Sequence, residues 1–182
     1  MRKNFFVKIY DLFRYKIPSF FKNIWYFRKS LWDFRWWDYH FTLEMMKTSL
    51  EIMSDNLEKK GIEVDVPRLK KVAKMKRAIE IMNNMNGVIH IEMAEKELGK
   101  LILKDWEFVP EGKDYYSLID NLTKQESSHN RKIYSRAREI EKSEWKELWD
   151  IFEGQHHEKY KKLKNIDWDE WFDGSGMQTW WD

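Results

Sequence analysis

Ile133-Tyr134-Ser135-Arg136-Ala137-Arg138-Glu139-Ile140, continued by Glu144-Trp145-Lys146-Glu147-Leu148-Trp149-Asp150-Ile151-Phe152, sets the architecture. Ile133, Ala137, Ile140, Trp145, Leu148 and Phe152 recur at helical spacing, and charges of alternating sign fill the positions between them. The pattern predicts one long helix over about 122–153, ended or kinked by Gly154. Working back, Ile91, Ala94, Leu98 and Leu101 predict a helix over about 88–103. Leu69, Val72, Ala73, Ile79 and Met82 predict another over about 67–85, with Asp65 as its N-cap and Pro67 in its first turn. Leu43, Met46, Leu50 and Met53 place a further helix over about 31–58, stopped at Gly61 behind Lys59-Lys60. Between the two C-terminal helices, 104–120 reads as irregular, with a short extended piece at Trp106–Val109 and a turn at Pro110-Glu111-Gly112.

The implied fold class is all-α, a helical bundle with aromatic-rich N- and C-terminal arms. The 182 residues suit one domain: a basic aromatic arm over 1–30, a bundle core over 31–154 and an acidic, Trp-rich tail over 155–182. Pro18 is expected to separate a short first helix from the next. The chain has no cysteine, which excludes disulfides and thiolate chemistry and suits a reducing, cytoplasmic setting. It has no apolar run of membrane-spanning length and no signal-peptide pattern at its start.

Net charge is +2, but it is unevenly spread. Residues 1–37 hold nine Lys or Arg against two Asp, whereas 165–182 hold five Asp or Glu and no Lys or Arg. The two ends would attract each other. The chain also has eleven Trp. The bland expectation is that the aromatic arms fold back onto the bundle, with Arg and Lys stems covering Trp faces. Aromatics interleaved with cations could instead stack on bases or lie at a membrane interface.

One polar stripe stands out. Asp33, His40, Glu44, Lys47 and Glu51 fall within about 60° of one another on a helix. Apolar residues flank the stripe on both sides. A narrow polar stripe of this kind can line a polar cavity, where carboxylates need cationic, metal or ligand partners. On a solvated edge, His40–Glu44 and Lys47–Glu51 would be ordinary i,i+4 pairs. With Trp36 and Trp37 beside it, the stripe makes Trp36, Trp37, His40, Glu44, Lys47 and Glu51 the candidate ligand-binding residues. Glu92-x-x-Glu95 and Glu147-x-x-Asp150 echo all-α nucleoside triphosphate pyrophosphohydrolases, in which such carboxylates hold Mg²⁺. That makes Glu92, Glu95, Glu147 and Asp150 the metal candidates; no other cofactor is expected. Glu126/His129 and Glu153/His156 have a di-iron spacing, but on one helix they would lie about 40 Å apart. His156-His157 comes after a helix end and reads as surface. Gly174-Ser175-Gly176 reads as a turn.

Trp36-Trp37-Asp38-Tyr39-His40-Phe41-Thr42, Ala94-Glu95-Lys96-Glu97-Leu98-Gly99 and the ending Trp171-Phe172-Asp173-Gly174-Ser175-Gly176…Trp180-Trp181-Asp182 resemble an uncharacterised family of tailed-bacteriophage proteins. The resemblance implies a viral origin and a bacterial host cytoplasm, and transfers no activity. Three readings remain. The first is an accessory protein that binds or sequesters a nucleotide-like small molecule, such as a host immune signal. The second is a structural or host-protein interaction protein, self-associating or not. The third is a Mg²⁺-dependent nucleotide pyrophosphohydrolase, which needs at least three of its carboxylates to converge. Nucleic acid ranks below all three as a partner.

Overall fold

The computed structural model describes residues 5–85, 88–113, 115–154 and 172–180. The fold is all-α apart from one hairpin. In chain order it runs α1 (Phe5–Asp11), a π-helical turn (Leu12–Lys16), α2 (Ile17–Trp32), α3 (Tyr39–Lys60), α4 (Asp65–Asn84), α5 (Ile89–Leu98), β1 (Trp106–Pro110), β2 (Tyr116–Asp120), α6 (Lys124–Glu153) and a 3₁₀ turn (Met177–Thr179). The chain divides into two compact units, Met1–Met82 with Asp150–Asp182, and Asn83–Trp149.

In the first unit, a short α1 does precede Pro18, which stands at the start of α2, but a π-helical turn joins the two helices. The backbone stays helical through Lys16, and Pro18 sits in the first turn of α2. The proline ring conflicts with the carbonyl four residues earlier, and the preceding turn is the wider π form. The expected helix over 31–58 is two elements. α2 ends at Trp32, and Asp38, in extended conformation, opens α3 by accepting the His40 N–H at 3.0 Å. Asp33 therefore does not share a helix with His40.

Helix α3 buries Leu43, Leu50 and Leu57, spaced by two turns, together with Ser54. Its C-terminal carbonyls are met from α4. The Arg68 guanidinium reaches the Leu57 carbonyl at 3.4 Å and the Gly61 carbonyl at 3.3 Å. Asp65 is not a cap but an ion partner of Arg68 at 2.5 Å. In α4 the buried stripe is Val72, Met75, Ala78, Ile81 and Met82, whereas Leu69 is half exposed and Ala73 is exposed. The true stripe is rotated from the one expected, because Met75 and Ala78, not Leu69 and Ala73, face the packing side.

The described part of the tail docks tightly. Lys70 donates to the Phe172 carbonyl at 2.9 Å and Lys74 pairs with Asp173 at 3.0 Å. The acidic tail thus finds these cations on α4. Burial disfavours the charge on Asp173, but bonds from Ser175 and Lys74 outweigh it and hold the carboxyl below its usual range. Gly174 has φ +89°, and a Cβ there would stand 2.3 Å from the backbone of Lys70. Only glycine satisfies both the conformation and the approach. Trp180 closes the tail: it is 1% exposed, donates to the Gly174 carbonyl at 2.8 Å and meets the Phe152 ring edge-on. Trp168, Trp171, Trp181 and the His156-His157 pair lie outside the described residues.

The second unit packs α5 on α6 through Ala94, Ile133 and Ala137, flanked by Ile91, Leu101 and Ile140. Helix α5 stops at Leu98, short of the expected 103. Gly99 takes φ +98°, and Glu95 turns back to accept the Leu101 N–H at 2.9 Å. Asn130 then binds both backbone groups of Ile102, at 3.0 and 2.8 Å, and lays that segment along α6. The extended piece expected at Trp106–Val109 is β1, and the rest of the stretch read as irregular adds a second strand to make an antiparallel hairpin, with Trp106 opposite Asp120 and Pro110 opposite Tyr116. Thr123 and Glu126 open α6 with a capping box. The Thr123 hydroxyl accepts the Glu126 N–H at 3.3 Å, and the Glu126 carboxylate accepts the Thr123 N–H at 2.7 Å.

Candidate functional site

The most unusual surface in the molecule is on α1 and α2. At about 100° per residue, α2 separates into two arcs. Ser19, Asn23, Tyr26 and Ser30 form a polar arc, with Lys22 and Lys29 at one edge. Ile17, Phe20, Phe21, Ile24, Trp25, Leu31 and Trp32 form the opposite, apolar arc, with Arg28 inside it.

The polar arc is the one turned toward α3. Ser30 is buried and shares a 2.8 Å hydrogen bond with Thr48. Ser19, Asn23 and Tyr26 line a cavity of about 640 Å³ with Ser49, Ile52 and Asn56 of α3 and Trp180 of the tail. The apolar arc is left in solvent: Phe20, Phe21, Trp25 and Trp32 are 60, 65, 64 and 86% exposed. Helix α1 buries nothing, and Phe5, Phe6, Tyr10 and Phe13 are exposed in the same way. The N-terminal arm packs on α3 as expected, but through its polar arc, and it leaves these aromatics exposed. A soluble helix ordinarily buries its apolar face, so this one is inside out.

The cations of the surface are held beside the rings. On the apolar arc the Arg28 guanidinium lies 4.0 Å from the Trp25 ring centroid, and on the polar arc Lys22 lies 5.5 Å from that of Tyr26. Arg14 sits 6.0 Å from the Tyr10 ring. The sequence showed these residue types in quantity; the burial of Ser30 against Thr48 is what sets their orientation, and no spacing rule signals that.

The six residues expected to form a ligand site lie on α3 and on the connection that precedes it. Trp36 and Trp37 are exposed in that connection, ring edge to ring face at 5.5 Å. His40 is half-buried and stacks on Tyr39 at 4.2 Å. Glu44 pairs with Lys47 at 2.5 Å, an i,i+3 contact in place of the two expected i,i+4 pairs. Glu51 is exposed on the same helix. None of the six lines the cavity under α2.

Of the carboxylates considered for a metal, Glu95 spends one oxygen on the Leu101 N–H and the other on Lys100 at 2.9 Å. Those bonds, the backbone one first, hold its carboxyl below the usual range. Glu92 is exposed, Glu147 is half-buried and Asp150 is exposed at the start of the last turn of α6. Among the described residues no three His, Asp or Glu side chains gather as a metal site would require. Glu126 is engaged by the capping box and by Lys104 at 2.6 Å, and His129 bonds the Lys100 carbonyl at 3.0 Å.

Fold and surface together define an all-α protein whose first two helices expose aromatic and cationic side chains. No family model matches the chain, and neither a curated protein nor a solved structure matches it.

Proposed function

We propose that this is an interaction protein that attaches through α1 and α2 to an anionic lipid surface. The observation that supports this reading above all is the inverted amphipathicity of α2. Ser30 is buried against Thr48 and Ser19 and Asn23 line the cavity beside α3, while Phe20, Phe21, Trp25 and Trp32 are kept in solvent. Exposing such a face is costly unless something covers it. Phe and Trp with Lys and Arg on one helix is the composition of an element lying in the headgroup region of a bilayer. The segment 5–32 carries Lys8, Arg14, Lys16, Lys22, Arg28 and Lys29 against Asp11. Each cation near an anionic leaflet contributes about 1 kcal/mol. No helix among the described residues is long and apolar enough to cross a membrane, so the attachment proposed is peripheral.

Vesicle co-sedimentation tests the reading. Vesicles of mixed zwitterionic and anionic phospholipid should pull the protein down at low salt, and purely zwitterionic vesicles should do so weakly. Trp25→Ser with Trp32→Ser should abolish the effect, and raising the salt should weaken it. If the protein ignores vesicles and sediments as a dimer that the same substitutions dissociate, the face belongs to a second copy and the lipid reading fails.

A further inference from the structure

The second unit contains a groove that none of the expected ligand residues enters. Its volume is about 760 Å³, within the usual range for small-molecule sites. One wall is a single face of α6: Arg131, Tyr134 and Arg138 succeed one another at helical spacing. Arg131 and Arg138 lie about 100° or more around the helix from Ile133 and Ala137, which are buried, and Tyr134 lies between the two faces. The other wall is Lys104 and Trp106 on the approach to and in β1. Asn130 forms part of the floor, and its amide oxygen and nitrogen both bind the backbone of Ile102. The groove is thus built on a fixed segment, not on a free loop.

Its charge is unbalanced. Among the lining residues three cations face one carboxylate, Asp120, whose oxygen accepts the Leu122 N–H at 3.1 Å. Lys104 is matched by Glu126 at 2.6 Å. Arg131 and Arg138 have no hydrogen-bond or ion partner among the described residues. Their neighbour Arg136, on another face of the same helix, shows the contrast: it grips both oxygens of Glu97, at 2.6 and 3.2 Å. The unpaired guanidiniums bracket Tyr134, which is 44% exposed, and Trp106 stands across the groove at 63%.

We propose that this groove binds a nucleotide. The base would stack on Tyr134 or Trp106, and its phosphates would take the guanidiniums of Arg131 and Arg138. Aromatic faces supply affinity for any flat base, and planar guanidiniums suit phosphate oxygens in paired hydrogen bonds. The site is independent of the lipid-facing helices, and lipid plays no part in its test.

Calorimetric titration of the full chain, without lipid, compares ATP, adenosine and inorganic tripolyphosphate as probes. ATP should bind about tenfold tighter than either fragment, since only it uses both rings and guanidiniums. Arg131→Gln with Arg138→Gln should weaken ATP about tenfold or more. Trp106→Leu should weaken it severalfold. Arg136→Gln, outside the groove, should leave it unchanged, which separates a local effect from a general loss of charge. The proposal is overturned by absence of heat at millimolar ATP, by tripolyphosphate binding as well as ATP, or by the double variant binding ATP like the parent. An oligothymidylate binding far more tightly than ATP would also overturn it, in favour of single-stranded nucleic acid.

Discussion

Helices α2 and α6 are both strongly amphipathic, and each uses its faces in the opposite sense. In the second unit α6 buries Ile133 and Ala137 and leaves Arg131 and Arg138 in solvent. In the first unit α2 buries Ser30 and leaves Phe21, Trp25 and Trp32 in solvent. Periodicity reports that a helix has two faces; it does not report which face its own chain covers. Where the apolar face is not covered from within, the physical expectation is a partner outside.

Substitutions test this contrast directly. The largest effect should come from the tail, which shares a unit with α2 yet buries its aromatic. Gly174→Ala places a Cβ 2.3 Å from the Lys70 backbone at φ +89°. It should undock the tail and cost about 3–5 kcal/mol, comparable to losing a buried aromatic. Urea unfolding would read the loss, and a red shift in tryptophan emission would report Trp180 entering water. Ile133→Ala, at a fully buried position, should cost about 2–4 kcal/mol. Phe21→Ala, at a position 65% exposed, should change stability by less than about 0.5 kcal/mol. Equal costs for Ile133→Ala and Phe21→Ala would mean that the arm is packed after all, and the contrast would collapse.

Smaller effects refine the account of α6. Thr123→Ala removes half of the capping box and should cost about 1 kcal/mol. The Lys104 ammonium beside Glu126, helped by Thr123, holds that carboxyl down at about 2. A lowered folded pKa stabilises the fold above the ordinary carboxylate range, and this contribution is lost as pH falls toward 2. Glu126→Gln should therefore lower stability at neutral pH and flatten the decline between pH 4.5 and 2. An unchanged acid profile would show that the pair contributes nothing to folding.

Much of the fold was legible in the residues. Ile133, Ala137 and Ile140 announced α6, Gly154 ended it, and Gly61 ended α3. Two features were missed, for different reasons. The break at Asp33–Asp38 lies in an aromatic run, where no polar spacing marks a boundary, although Asp38 carried the capping signal. The extended piece at 106–109 was read, but its partner at 116–120 depends on pairing between strands, which a strand read alone does not show. Candidate sites were less legible. His40, Glu44, Lys47 and Glu51 do share α3, as their spacing required, and Glu44 and Lys47 pair with each other. The face of Arg131, Tyr134 and Arg138 was present in the spacing, but nothing in the sequence brings Trp106 opposite it.

The residues alone thus established the helices, their principal stops and the abundance of aromatic and cationic side chains in the first 37 residues. These are local properties, set by periodicity, glycine conformation and capping chemistry within a few residues of each position. Which face of each helix is covered was settled by tertiary packing. Contacts such as Ser30 with Thr48, Asn130 with Ile102 and Gly174 with Lys70 join residues far apart in the chain. Their free energy exists only once the elements have packed.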